Sequence, residues 1–307
     1  MKKWKIYRLT VTASEAGLRL DRYLADTISG LSRVQAKKII DIGGVHLEGR
    51  RMRSCSRAVT ENEQIEVYLD HLPLEPFRLT PDNIVYQDKY LIVLNKPAGV
   101  DTQPTHARYK GTVYEALQVL LQDRFSPQKK PELGMVQRLD RGTTGLMTFS
   151  IHPHSHKGLS KIFMDHRVDK RYLALVGGVP QPGLGEIRSL LARSRKENKV
   201  VSVPRGGKEA VTRYRVTERY GSTSLVELDL LTGRSHQIRA HMAELGCPLL
   251  GDLRYGGMTE LNHAPIGRPL LHSARLAFFH PVTGESLEFE AGLPHDMATL
   301  RIQLMAE

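Results

Sequence analysis

The sequence predicts an α+β chain of two domains, and three observations carry that reading. At 307 residues the chain is about twice the length of a typical domain. Its apolar residues alternate between helical and strand spacing without a regular strand–helix–strand rhythm, which argues against a doubly wound parallel sheet. A stretch without periodicity, His71 to Asp82, carries Pro73, Pro76 and Pro81 and reads as a linker. The predicted division is therefore 17–70, a linker at 71–82, and a larger domain over 83–307. With 40% hydrophobic and 25% charged residues, the chain can bury a core and is neither disordered nor fibrous.

In the first domain, Leu20, Tyr23, Leu24 and Ile28 share a helical stripe. Ser32 then sits as an N-cap before a second helix with Ala36, Ile39 and Ile40, closed by Gly43 and Gly44. Val45 and Leu47, then Ile65, Val67 and Leu69, alternate as strands. Beyond the linker, Ile84 to Tyr86 and Leu91 to Leu94 are strand-like around Asp88-Lys89. Thr112 and Glu115 form a capping-box pattern ahead of Val113, Leu117, Leu120 and Leu121. Ser155 is placed to cap a helix with Leu159, Ile162 and Phe163. Tyr172, Ala174 and Val176 share a strand face, as do Val226, Leu228 and Leu230, and Ile238, Met242 and Leu245 mark a helix ending at Gly246.

Forty-four basic against 33 acidic residues give a net charge of +11, a balance that attracts polyanions such as nucleic acid. Cys55 and Cys247 provide neither a disulfide framework nor zinc spacing, so a reducing cytoplasm is expected and no structural metal. No apolar run is long enough for a membrane helix, and no signal peptide is read at the start. His152, His154 and His156 alternate, but Pro153 and Ser155 mark a turn into a helix and no matching carboxylate or cysteine joins them. They are read as a loop of partly exposed histidines rather than a metal site.

Arg33 and Lys37 lie one helical turn apart, and Arg50, Arg51, Arg53 and Arg57 crowd the stretch after the first strand, so one surface should be strongly positive. Arg19-Leu20-Asp21 with Leu24, Ser32-Arg33, and Ile39 with Gly43, Gly44, Val45 and Leu47 resemble the small RNA-binding domain first described in ribosomal protein S-four. That resemblance makes Arg19, Arg33, Lys37, Arg50 and Arg51 the candidate RNA-binding residues.

The segment Gln137-Arg138-Leu139-Asp140-Arg141-Gly142-Thr143-Thr144-Gly145 places one carboxylate between two arginines, read as the end of an apolar strand entering a turn. Flanking cations favour the ionised carboxylate, which suits a nucleophile or an electrostatic stabiliser. On its own the pattern is also that of a surface ion pair. Together with Thr232-Gly233-Arg234-Ser235-His236-Gln237-Ile238-Arg239-Ala240-His241, it resembles the signature of the RluA/RluC/RluD-type pseudouridine synthases. Leu94-Asn95-Lys96-Pro97-Ala98-Gly99, Lys170-Arg171-Tyr172, Gly207-Lys208-Glu209-Ala210, Gly251-Asp252 with Tyr255-Gly256, and Leu271-His272-Ser273 follow in the family's order.

The resemblance implies a catalytic domain with a mixed, largely antiparallel sheet and flanking helices, which isomerises uridine in structured RNA without any cofactor. It makes Asp140 the nucleophile on a flipped-out uridine, attacking at C1′ or C6. Arg234 is expected to pair with that carboxylate and Tyr172 to pack on the base. Ile238 would lie under the base, while Arg138, Thr143 and Gln137 complete the substrate-binding set. Two positions depart from the family pattern: Gln137 and Gln103 stand where histidines are usual, a change expected to bear on target selection. The added amino-terminal module implies large-subunit (23S) ribosomal RNA, or a ribosome assembly intermediate, as the partner of a monomer. Transfer RNA is the alternative substrate, and a catalytically silent RNA-binding protein or an N-glycosidase the alternative function.

Overall fold

The computed structural model describes residues 5–122, 133–194, 196–197, 199–261 and 264–306. The chain divides into two compact units, one of Lys2–Leu79 with Val100–Pro131 and the other of Thr80–Gly99 with Glu132–Glu307.

The amino-terminal unit contains β1 (Lys5–Thr10), α1 (Leu20–Thr27), α2 (Arg33–Ile42), β2 (Val45–Leu47), β3 (Arg50–Arg51), β4 (Gln64–Leu69) and α3 (Val113–Leu120). Its antiparallel sheet has the order β1-β4-β2-β3. The expected helical stripe is buried: Leu20, Tyr23, Leu24 and Ile28 pack with Ala36, Ile39 and Ile40 against Val45, Leu47, Ile65 and Val67. Ser32 and Gln35 form a full capping box on α2, and Gly43 ends it at φ 95°, a conformation glycine adopts without a Cβ penalty.

Three boundary expectations are corrected here. The unit begins before residue 17, because β1 pairs along its whole length with β4. The stretch after Leu69 is no free linker. Arg108 makes a buried two-pronged pair with Asp70 and also donates to the Pro73 carbonyl, Arg78 pairs with Glu115, and a Cβ on Gly111 would lie 2.8 Å from the Phe77 nitrogen. These contacts explain why residues 100–131, assigned from sequence to the larger domain, belong to this unit. The helix expected after Thr112 is present as α3, with Thr112 accepting from the Glu115 amide; the Glu115 carboxylate instead accepts from the Gly111 amide.

The second unit contains β5 (Ile84–Gln87), β6 (Leu91–Lys96), β7 (Gly134–Met135), β8 (Thr144–Ser150), α4 (Pro153–Met164) and β9 (Val168–Gly177). There follow β10 (Leu184–Ser194), β11 (Lys199–Ser202), β12 (Lys208–Tyr220), β13 (Thr223–Leu230) and α5 (Gln237–Glu244), then β14 (Glu260–Leu261), β15 (Ala264–Pro265), β16 (Leu271–Phe279), β17 (Ser286–Glu290) and α6 (His295–Met305). The main sheet runs β11-β10-β12-β13-β9-β16-β8-β6-β5, with β17 on β16 and β7 on β8. It is antiparallel except where β8 and β16 run side by side in one direction, His272 opposite Thr144 and Ser273 opposite Gly145. This is the expected mixed, largely antiparallel α+β sheet.

Every residue of β8 is buried, as a central strand covered on both faces must be. Leu159 and Ile162 of α4 pack on Leu91, Val93 and Leu146; Met297, Leu300 and Leu304 of α6 pack on Leu175, Leu225 and Leu250. Gly145 has φ 106°, and a Cβ there would lie 2.2 Å from the Ser273 carbonyl oxygen, so only glycine allows the two strands to meet at this point. Ser155 does not cap α4. His152 does, its Nδ1 accepting from the His154 amide, while the Ser155 hydroxyl is buried against the Tyr90 and His152 carbonyls. No helix among the described residues is long and apolar enough to cross a membrane.

Candidate active site

Asp140 lies in the turn that enters β8 rather than at the end of a strand, since among the described residues the pairing just before it is the two-residue β7. The turn is closed by the Thr143 amide on the Asp140 carbonyl at 3.0 Å. Its next two carbonyls are pinned by buried cations. Lys96 donates to the Arg141 carbonyl at 3.4 Å, joined there by the Gly99 amide at 2.8 Å. Arg268, itself clamped by Asp296, donates to the Gly142 carbonyl at 2.9 Å. A loop fixed at three successive peptides holds its side chain in place without using the carboxylate for support.

The loop before α5 approaches the same place. Gln237 uses its whole amide to shape it: Oε1 accepts from the Arg234 amide and the Thr232 hydroxyl, while Nε2 donates to the Val211 carbonyl and the Thr212 hydroxyl. His236 then takes a left-handed conformation, φ 53°, which few side chains adopt, and reverses the chain into α5. The first turn of α5 carries Arg239, whose side chain reaches Asp140.

The expected pairing of Arg234 with Asp140 is corrected by this geometry. The guanidinium on the carboxylate is that of Arg239, Nη1 donating to Asp140 Oδ2 at 3.0 Å. Arg234 precedes the reversal at His236, is exposed, and donates from Nε to the Glu209 carbonyl at 2.8 Å. Arg239 is buried and also holds Asp252 in a two-pronged pair at 2.6 and 2.8 Å. Its guanidinium stacks 5.0 Å above the Tyr255 ring. Burial works against its charge, but Asp252 and Asp140 outweigh that and raise its pKa further, so it is a permanent cation.

His236 Nε2 lies 3.7 Å from Asp140 Oδ2, and Nδ1 lies 3.1 Å from the Tyr255 hydroxyl. Burial lowers the imidazole pKa, with Arg239 and Arg254 acting in the same direction against the pull of Asp140, so the ring is neutral at pH 7. The Asp140 side chain keeps 34% of its surface exposed, and its Oδ1 has no hydrogen-bond partner among the described residues. One oxygen is held and the other is open.

Tyr172 is brought to the same place. It is buried on β9 opposite Ser273 of β16. Burial pushes its pKa up to about 12, with the Asp140 charge adding to the rise. The phenol is therefore neutral under physiological conditions, a ring to pack against and a proton to donate, but no resting base. Ile238 is buried on α5 and Thr143 is buried in the Asp140 turn. Arg138 is exposed, within 3.5 Å of the Ser235 hydroxyl. The Gln137 amide nitrogen is buried without a hydrogen-bond partner among the described residues, a donor left over for a ligand.

In the amino-terminal unit, Arg19, Arg33 and Lys37 do converge, all three on the buried carboxylate of Asp21. Arg50 is exposed on β3, whereas Arg51 is half-buried against the Thr105 carbonyl and the Tyr109 ring. No group of three His, Cys, Asp or Glu side chains among the described residues is arranged to hold a metal. His156 of the alternating trio bonds instead to Ser150.

Residues 90–244 match the family of RNA pseudouridylate synthases. The chain is 36% identical to ribosomal large subunit pseudouridine synthase D of Zymomonas mobilis, across 97% of each chain. The chain belongs to the RNA pseudouridine synthase family, of RluA/RluD type. A Bacillus subtilis RNA pseudouridine synthase, YlyB, is 33% identical across 95% of this chain and 97% of its own. The structure of human RNA pseudouridylate synthase domain containing 4 superposes with a TM-score of 0.61 at 27% identity, covering 73% of this chain and 93% of that one. As a pseudouridine synthase, this protein is an isomerase acting on uridine in RNA. Among the residues around Asp140, those for which the sequence assigned no role are Lys96, His236, Arg239, Asp252, Tyr255 and Arg268. The signal for Arg239 was available in principle, as an arginine inside an otherwise apolar helical stripe needs a buried acid, and Asp252 is present in the matching motif.

Proposed function

We propose that this synthase acts on large-subunit ribosomal RNA, with Asp140 as nucleophile on a uridine swung out of its stack. The observation that carries the chemistry is the division of labour on one carboxylate: Arg239 holds Oδ2 while Oδ1 stays open. Isomerisation breaks the bond from N1 to C1′ and makes one from C5 to C1′, so the target must leave the helix to be reached. Asp140 Oδ1 bonds to C1′ or to C6. The N1–C1′ electrons pass to the uracil ring, C5 then takes C1′, the bond to Asp140 Oδ1 breaks with its electron pair returning to the carboxylate, and the proton on C5 leaves for solvent as N1 gains one. Nothing is oxidised and no group is donated.

Each neighbour has work in this scheme. Arg239 keeps the carboxylate oriented and charged. The neutral Tyr172 ring and the Ile238 side chain offer apolar surfaces between which a released uracil can turn, and the Gln137 amide supplies a donor to its edge. Exposed Arg138 fills the gap that the extruded nucleotide leaves. The choice of large-subunit ribosomal RNA over transfer RNA rests on the names of the full-length relatives and on the cationic cluster around Asp21 in the amino-terminal unit.

The test is to incubate ribosomal and transfer RNA, labelled with tritium at uridine C5 and made in a strain lacking this protein, with the purified enzyme. Release of solvent tritium from ribosomal RNA, with no free uracil, is expected. Release from transfer RNA alone would redirect the substrate, free uracil would mean glycosidase action, and no release would leave only a binding protein.

A further inference from the structure

Beside the Asp140 site the catalytic unit carries an open cleft of about 600 Å³, lined by Arg193 and Lys199 of the β10–β11 hairpin, Lys208 at the start of β12, Arg234 and His236 before α5, and Arg254. The cations come from four separated stretches of chain and converge on one concavity. Lys208, Arg234 and Arg254 have no ion-pair partner among the described residues. Lys199 pairs with Glu197 at 2.9 Å, but the like charges of Lys208, Arg234 and Arg254 repel each other, and an anion between them relieves that repulsion. Among the described residues, neither a carboxylate nor an aromatic ring besides His236 lines the cleft.

His236 joins this cleft to the reaction centre, lining the one and reaching to 3.7 Å from Asp140 in the other. An anion in the cleft is thus within one side chain of the nucleotide at Asp140. We propose that the cleft holds consecutive phosphates of the RNA strand that carries the target uridine, and that Arg234 serves this strand rather than the catalytic carboxylate. The two arginines of one segment then divide between two anions across the reversal at His236: Arg239 inward to Asp140, Arg234 outward to the RNA backbone. This deepens the reading of the protein as an RNA-modifying enzyme and rests on RNA as substrate, not on the identity of the nucleophile.

The test uses the full-length protein and fluorescence anisotropy of dye-labelled, deproteinised large-subunit ribosomal RNA fragments across a KCl series. Lys208→Gln/Arg254→Gln is expected to raise Kd about 5- to 20-fold near physiological salt, and to flatten the slope of log K against log[KCl] by about 1.5 to 2. Arg234→Gln should flatten it by nearly one more. Lys157→Gln/Lys161→Gln, which removes the same charge from exposed positions on α4, should leave Kd and slope as in the wild type. Equal losses in the cleft and α4 variants, or no loss in the cleft variants, would overturn the proposal. So would competition by inorganic phosphate as effective per phosphate as by a 12-nucleotide RNA, which would make this a small-anion site. Because binding needs no turnover, a wild type that binds with the full slope and releases no tritium would sink the isomerase reading and leave the cleft assignment standing.

Discussion

Each unit of this protein has an aspartate set among arginines, and the two carboxylates are used in opposite ways. Asp21 is fully buried and saturated: Oδ1 accepts from Arg19 and the Arg22 amide, and Oδ2 from Arg33 and again Arg19. Its three cations remain about half exposed, so the acid acts as a hidden template that arrays positive charge for something outside. Asp140 is the reverse. One buried arginine holds one oxygen, the surrounding backbone is pinned by other residues, and the second oxygen is left open. The difference teaches that an arginine beside an aspartate says little by itself; what matters is whether the acid has an oxygen to spare.

The largest effect that would break this contrast comes from Arg239. Arg239→Gln is expected to lower turnover by at least about a hundredfold and, because it strands the buried Asp252, to cost about 3–5 kcal/mol of stability. Thermal denaturation alongside tritium release separates the two, and a variant as stable and as active as the wild type would remove Arg239 from the site. Gly145→Ala should rank next. The methyl would meet the Ser273 carbonyl where β8 and β16 run parallel, costing a few kcal/mol and displacing the Asp140 turn that enters β8.

Much of this arrangement was legible beforehand. The helical stripe of α1, the Ser32 cap and the Asp140 segment follow from local spacing, which sequence displays directly. The partner of Asp140 did not, because two arginines five residues apart look alike until His236 turns the chain left-handed and sends only the second inward. Asp21 was visible as part of a motif but not as a template, since its cations at 19, 33 and 37 meet only when α1 packs on α2. The displacement of 100–131 into the amino-terminal unit depends on buried pairs such as Arg108 with Asp70, which no periodicity announces.

Asp21→Asn sharpens the other side of the comparison. It removes the template's charge while keeping its shape, so RNA affinity is expected to fall about 3- to 10-fold with a flatter salt dependence, and stability by about 1–3 kcal/mol. Filter binding and urea denaturation check both, and unchanged affinity would mean the cluster serves only the fold.

The smallest effect is a difference in acid sensitivity. Burial lowers the pKa of His236, His241 and His272 in the catalytic unit, so the unfolded chain binds protons first as pH falls. Their contribution is whole above the ordinary histidine value of 6.5 and is lost on acidification through their lower folded values. Burial of Asp21 is outweighed by Arg19 and Arg33, which lower its pKa, so its contribution is whole above the ordinary 3.8 and is lost only below that. Hydrogen exchange followed from pH 7 to 4 should therefore show the catalytic unit loosening first, and His272→Gln should blunt its slope.

The central claim is that the open oxygen of Asp140 performs the reaction, and Asp140→Asn tests it most directly, since the amide keeps the shape and removes the nucleophile. Tritium release from ribosomal RNA labelled at uridine C5 should drop by at least about a thousandfold while RNA binding stays within a few-fold of the wild type. Release at the wild-type rate would contradict the account.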